Sequence, residues 1–530
     1  MAPGFYCSLK GTTDMASTLL DQVYLAYQTA TPIQIAATVI ALITASILHS
    51  IIKTRYFHPL SQFPGPFWAS ITRWWIVYHL LKGDEYSILY ELHKKYGPVF
   101  RVTPTMLMCS DPKMLPVIYH RRADKSNHYG PGGFGKTPGV FNIQSHDDHV
   151  VARKLIASPY SMTNLKRTEP LIDGRVVEWI SKLDKEFATT GKTMEYSSWS
   201  SYFTYDVISE LAFGKPLGFV EKGYDIDDLI VSFHKGALSF NVMARLHPLT
   251  NFFKKTGLGA LLLPKPGDGS GVGNVMKIRD DLIASRLKEL ENPLASPRKD
   301  MLQSFLDARS ITHDDGSSLD MENLKAEVLL VLLGGADTTA TAFEALMYYL
   351  MTNPGCFKKV LAEIDNAPLS AIPQYDEVLQ HCPYYVACVK EALRLCPPTP
   401  NMFPRVVPPG GLNLYGKFAP EGMEMSCNAF VTQRNTDMYG EDALEYKPER
   451  WLDTEKAAEF EKFDFTFGYG TRKCMGMNIS FMELYKAPLQ LFKGYAPRLV
   501  KKDGKEPRVI VVGGMARWEN LYVAIEKRKL

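Results

Sequence analysis

The clearest chemistry in this chain lies in ten residues near its C-terminus, Phe467-Gly468-Tyr469-Gly470-Thr471-Arg472-Lys473-Cys474-Met475-Gly476. A single cysteine, Cys474, sits in a glycine-rich loop two residues after Arg472. A thiolate stays ionised and binds metal in a sheltered, electropositive pocket. Gly470 and Gly476 permit sharp turns and a close backbone approach to a flat ligand. An apolar, methionine-rich helical pattern follows over about 478–492. The amide end of such a helix turns its positive dipole towards the sulfur. The plain alternative is a core cysteine after a glycine turn, since free cysteines are commonly buried.

A second constellation, Gly334-Gly335-Ala336-Asp337-Thr338-Thr339, interrupts an amphipathic pattern running over about 320–350. Asp320 is the predicted N-cap, with Glu322 in the first turn. Glycine inside a helix costs about 1 kcal/mol relative to alanine, so two in succession need a reason. Threonine hydroxyls compete for backbone carbonyls and bend helices. Further on, Glu391 and Arg394 stand three apart and share a helix face. Such pairs contribute little when exposed.

Taken together, these residues resemble the cytochrome P-450 superfamily. Its haem-binding signature, Phe-x-x-Gly-x-Arg-x-Cys-x-Gly, is met at Phe467, Gly470, Arg472, Cys474 and Gly476. Its oxygen-binding helix motif is met at every position from Gly334 to Thr339. Its Glu-x-x-Arg motif is met at Glu391 and Arg394, and the later Pro-Glu-Arg motif at Pro448-Glu449-Arg450-Trp451. The resemblance implies haem b, with Cys474 as the axial ligand of its iron. It makes Thr338 the oxygen-activating hydroxyl and Asp337 an acidic neighbour that relays protons. It makes Glu391, Arg394 and Arg450 a buried structural triad. Arg153 and Arg405 match arginines that hold the haem carboxylates, a task suited to the planar guanidinium fork. His149 stands where many members carry tryptophan. Either ring can donate an N–H, but a histidine's charge depends on pH. The segment 57–66 is similar to that of membrane-bound fungal members, and 375–396 to the subgroup of pisatin demethylase and benzoate 4-monooxygenase.

The elements that must position these residues are mostly helical. Helical patterns outnumber strand signals, Gly and Pro are dispersed, and no linker divides the chain. The resemblance implies a mainly α fold with a small β-rich lobe, preceded by one transmembrane helix. Pro32 to Ile52 contains no Asp, Glu, Lys or Arg. About 21 residues at 1.5 Å each cover the roughly 30 Å of a bilayer core. Lys53 and Arg55 follow directly, which keeps the C-terminal side cytosolic by the positive-inside bias. The expected organisation is a short lumenal segment, 1–31, a signal-anchor helix, 32–52, and a cytosolic catalytic domain, 53–530, on the endoplasmic reticulum membrane. A cleaved signal peptide would place its apolar run nearer the N-terminus.

Charge is nearly balanced, 60 Lys+Arg against 57 Asp+Glu, which argues against nucleic acid as a partner. No flavin or nicotinamide motif is present, so electrons must come from outside. The resemblance implies NADPH–cytochrome reductase. The expected activity is haem-dependent insertion of one atom of dioxygen into a hydrophobic small molecule of fungal secondary metabolism. The alternatives are a haem-thiolate isomerase or dehydratase that does not use dioxygen, and a non-catalytic haem-binding protein. Thr338 counts against both. By position in the family, substrate contacts are expected from 129–141, 240–246, the helix before Gly334, 401–403 and Met515. These stretches are mainly apolar, as a hydrophobic substrate requires.

Overall fold

The computed structural model describes residues 31–132, 137–256, 264–267, 269, 271–292, 298–309 and 319–529. The expected lumenal segment lies outside these, apart from Thr31. The chain divides into two compact units, Met1–Ser61 and Gln62–Leu530.

In the first unit, α1 (Pro32–Ile52) has the bounds the sequence predicts. Local signals set its start. Pro32 occupies the first turn, where a missing N–H is harmless. Thr31 accepts from the Gln34 amide, and the Gln34 side chain accepts from the Thr31 amide at 2.9 Å, a reciprocal capping box. No residue of α1 is buried, and it is long and apolar enough to cross a bilayer.

The second unit is mainly helical with small sheets, as expected. The helices that matter here are α2 (His146–Ile156), α3 (Met162–Leu183), α4 (Tyr196–Phe213), α5 (Leu229–Arg245), α6 (Gly271–Leu290), α7 (Met321–Gly334), α8 (Asp337–Thr352), α9 (Pro383–Leu395) and α10 (Met477–Gly494). Helix α8 packs on α4, α9 and α10 at the centre of the main core. Phe343 of α8 and Phe203 of α4 stack with ring centres 5.7 Å apart, and Trp179 of α3 closes on Phe203 at 5.2 Å. Aromatic pairs at these distances add to the area they bury.

Two strand pairings bear on the site. Strands β1 (Val99–Thr103) and β2 (Met106–Cys109) form one side of a four-stranded sheet. Its other strands are β4 (Arg405–Val406) and β7 (Glu424–Ser426), in the order β1-β2-β7-β4. This sheet fixes Arg405, which sits opposite Met425. Strand β3 (Met194–Glu195) joins a separate sheet, and β5 (Leu412–Leu414) pairs with β6 (Lys417–Ala419). Near the C-terminus, β8 (Tyr495–Val500) precedes a tight hairpin of β9 (Arg508–Val512) and β10 (Met515–Glu519), and β11 (Tyr522–Lys527) ends the fold. The hairpin turns through Gly513 and Gly514, both at positive φ, the backbone that two-residue hairpin turns demand.

Where the sequence predicts one bent helix over 320–350, the structure has two, α7 and α8, with Gly335 and Ala336 between them. Asp320 caps α7 as expected, accepting from the Asn323 amide at 2.7 Å. The paired glycines serve different ends. A Cβ on Gly335 would lie 2.5 Å from Ile208 Cγ1 of α4 and 2.8 Å from the Val331 carbonyl, so close packing excludes any side chain. A Cβ on Gly334 would meet nothing within 4 Å, so this glycine keeps space open.

Candidate active site

The cysteine loop closes on itself through the Cys474 amide, which donates to the Phe467 carbonyl at 2.8 Å. Gly470 adopts φ +69°, and a Cβ there would strike the Tyr119 carbonyl oxygen at 2.5 Å. The close approach expected at Gly470 is therefore to the protein's own backbone, while Gly476 has an ordinary φ of −75°. At Gly476 what matters is room beside the sulfur, since its Cβ would stand 3.9 Å from Cys474 Sγ. Phe467 packs against Phe481 of α10, ring centres 5.1 Å apart. Burial raises the Cys474 thiol, and the amides of Gly476 and Met477, with Arg153 and Lys473, offset this only in part.

Cys474 is not the core residue of the plain alternative. Among the described cysteines it alone is exposed, and its free surface opens onto an internal cavity of about 430 Å³. Gly334, Gly335 and Thr338 line the same cavity, as do the apolar side chains of Leu329, Leu330 and Leu333. Most stretches expected to touch substrate are there, including Val140, Phe141, Phe240, Asn401, Phe403 and Met515. Residues 133–136 of the first stretch lie outside the described residues. Phe233, Val272 and Val275 also line it and carry no motif to announce them.

One end of this cavity is cationic. Arg153, Arg405 and Arg472 reach it, with His149 and with Lys125, which sequence reasoning missed. Lys125 arrives through an isolated antiparallel bridge to Arg405, a pairing no local signal reveals. Arg472 donates to the carbonyls of Ile143 at 2.5 Å and Gln144 at 2.7 Å, and its Nε is buried without a partner. Arg153 donates to the Lys473 carbonyl at 2.9 Å. Arg405 donates to the Tyr129 hydroxyl at 3.2 Å and to the Phe403 carbonyl at 3.1 Å. Among the described residues, none of these four cations pairs with a carboxylate. Burial, then repulsion from Arg405, pushes Arg472 down to about 10. Lys125 falls well below its usual range by burial and the three arginines. His149 is pushed down to about 3 by burial, with Arg472 and Lys125 adding to it. Its ring is thus neutral at ordinary pH, not the pH-dependent charge expected, and its Nδ1 is buried without a partner.

A wall of mutually repelling cations, with two buried nitrogens unpartnered, fits a ligand that brings two carboxylates. An accessible sulfur facing the same space fits the iron of that ligand. These residues therefore fit haem b.

Thr338 lines the same cavity, its hydroxyl donating to the Gly334 carbonyl at 3.2 Å across the helix break. Thr339 is buried and donates instead to Ser480 of α10 at 3.1 Å. Asp337 does not share the cavity of Thr338. It turns into a separate polar cavity, with Oδ2 3.0 Å from His234 Nε2 and 3.4 Å from the Tyr205 hydroxyl. Away from both, Glu391 accepts from Arg394 Nε and Nη2 at 2.8 Å, Arg450 Nε at 2.9 Å and the Trp451 indole at 2.9 Å. Arg394 also donates to the carbonyls of Gln433 and Ala443 at 2.7 Å, tying α9 to the segment before the cysteine loop.

The chain matches the cytochrome P-450 family over residues 69–513 and belongs to it. Members of this family bind haem b through a cysteine thiolate and are monooxygenases that act on small molecules and draw electrons from a redox partner. The chain is 34% identical to quiannulatic acid synthase of Emericella variicolor over 503 residues, 92% of this chain and 94% of that protein. It is 33% identical to the cytochrome P-450 monooxygenase gsfF of Penicillium aethiopicum, covering 83% and 89% of the two chains. With pisatin demethylase of Fusarium vanettenii the identity is 30%, over 84% and 86%.

Proposed function

We propose that this haem monooxygenase is anchored in the endoplasmic reticulum membrane and oxidises a hydrophobic secondary metabolite, with electrons from NADPH–cytochrome reductase. In this reading, residues 1–31 are lumenal, 32–52 span the bilayer and 53–530 face the cytosol. Trp68, Trp74 and Tyr78 of the second unit, each more than half exposed, support a lipid surface as a partner, since Trp and Tyr favour the interface. The names of the relatives, among them quiannulatic acid synthase and pisatin demethylase, support a fungal metabolite as substrate.

The observation that carries the site assignment is the single cavity that joins an accessible cysteine to a wall of cations without carboxylates. Cys474 would hold the haem iron through its thiolate. Arg153, Arg405 and Arg472 would hold the two carboxylates, with Lys125 and His149 beside them. Phe467, Gly470 and Gly476 shape the loop. When bound, haem supplies dioxygen activation, so that one oxygen atom enters the substrate and the other leaves as water, favoured by the electron-rich thiolate. The apolar walls exclude water and orient the substrate. Thr338 holds a transferable proton at Oγ1 on the cavity side, and Asp337 replenishes it from the polar side.

Three measurements test this. The ferrous carbonyl complex should show the red-shifted Soret band of thiolate ligation, and Cys474→Ala should lose it. An unchanged band in the variant sends the ligand role to another cysteine. Labelled dioxygen should mark the product. Thr338→Ala should bind haem and substrate nearly as before yet lose about a hundredfold in product formed, the usual scale for a lost acid–base group, with peroxide released instead. Turnover without dioxygen would favour the isomerase or dehydratase.

A further inference from the structure

The polar cavity on the Asp337 side measures about 980 Å³ and has a use that the substrate cavity does not explain. Three side chains meet on its wall: Asp337 at the start of α8, His234 on α5 and Arg517 on β10. His234 Nε2 stands 3.0 Å from Asp337 Oδ2, and its Nδ1 stands 3.4 Å from Arg517 Nη1. A guanidinium only donates. Nδ1 must therefore accept, which leaves the ring proton on Nε2, donated to Asp337. The neighbours thus fix both the tautomer and the aim of the ring. Side-chain exposure falls in steps along the row, from 43% at Arg517 to 20% at His234 and 10% at Asp337. Glu519 stands 3.9 Å from Arg517 on the same strand, and Glu195, Asp225 and Glu506 line the same cavity. The Tyr205 hydroxyl lies 3.4 Å from the same Asp337 oxygen, and its pKa is raised well above the usual range by burial. Glu344 is likewise pushed well up by burial.

We infer that His234 is the positioning residue that feeds protons from the polar cavity to Asp337. This rests on the reading of Asp337 and Thr338 as the proton-handling pair. A proton from cavity water binds Nδ1 as Arg517 gives up its long contact, and the Nε2 proton passes to Asp337 Oδ2. The ring is left neutral with its proton on Nδ1, and exchange with water restores the starting tautomer. One proton enters, one proton leaves, and no electrons move. Asp337 then carries the proton past the open turn at Gly335 and Ala336 to the Thr338 side.

The stoichiometry provides a test. Hydroxylation with dioxygen consumes two electrons and two protons, whereas hydroxylation with hydrogen peroxide consumes neither. His234→Gln keeps an amide donor for Asp337 but cannot accept and pass on a proton. In the holoenzyme with reductase, it should lower product formed per NADPH about tenfold while leaving peroxide-driven turnover within about twofold. A second measurement needs no turnover. Nitrogen NMR of histidine-labelled protein should show, among its ring signals, one with Nε2 protonated and Nδ1 bare that vanishes in the variant. Full coupling in His234→Gln, equal loss of both turnovers, or loss of an Nδ1-protonated signal instead overturns the inference. Asp337→Asn separates the two levels. If it is itself fully coupled, the underlying pair reading falls. If it uncouples while His234→Gln does not, only the role of His234 falls.

Discussion

Two clusters of arginine in the same unit are built on opposite plans. Around Glu391, Arg394 and Arg450 find a carboxylate supplied by the chain itself; Arg450 also reaches Asp442 at 3.3 Å, and other donors go to carbonyls. Burial opposes the Glu391 charge, but the two arginines hold it below the usual carboxylate range. Around Cys474, Arg153, Arg405 and Arg472 find carbonyls and a tyrosine hydroxyl but no carboxylate among the described residues. Arginine count does not distinguish a lock from a receptor. What does is whether the chain provides the counter-charge or leaves it to a ligand.

The largest effect should come from breaking the lock. Glu391→Gln strips Arg394 of its carboxylate and leaves Arg450 with only Asp442, at 3.3 Å. Removing one partner of a buried ionic group costs about 3–5 kcal/mol. Denaturant unfolding, or the yield of folded protein, should show a loss on that scale, with or without haem. Breaking the receptor should look different. Arg405→Leu removes one charge-assisted contact to the ligand, worth about 1.5–3 kcal/mol. Haem transfer to an acceptor protein should speed up about tenfold or more, while unfolding of the haem-free chain changes little. If Arg405→Leu destabilises the haem-free chain as much as Glu391→Gln does, the distinction between the clusters fails.

Glu327 of α7 gives the third case, a carboxyl with no cation. Burial pushes it up to about 7, with the Val140 amide, 2.6 Å away, opposing the shift. Its folded value lies above its unfolded value near 4.5. Between those values the fold holds a proton that the unfolded chain has released. Stability therefore falls as pH rises across that window and levels off above about 7. Glu327→Gln keeps an acceptor for Val140 and removes the titration. Its melting temperature should match wild type near pH 5 and exceed it at pH 8, by the equivalent of about 1–3 kcal/mol. An identical pH slope in both proteins would show that Glu327 does not titrate in this window.

What was legible in the sequence divides along the same line, between local and distant causes. Helix α1 could be read to the residue, because Thr31, Pro32, Gln34 and the apolar run all act within a few positions. Cys474 and Arg472 could be read from motif spacing. The reason for Gly335 could not, since it lies at Ile208, on a helix far away in sequence. Lys125 was illegible for the same reason. The parting of Asp337 from Thr338 was legible but missed. Successive residues on a helix project about 100° apart, so Asp337 can face a different cavity from Thr338.

Arg472 fastens the loop before α2 to the cysteine loop through two backbone carbonyls, those of Ile143 and Gln144. This latch is blind to side chains. Under the proposed site assignment, side chains over 137–143 can change, altering the cavity lining at Val140, Phe141 and Asn142, without removing this latch. Changing the number of residues there is another matter, because it moves the carbonyls off the guanidinium. Swaps of equal length should diversify this enzyme, while insertions and deletions should empty it.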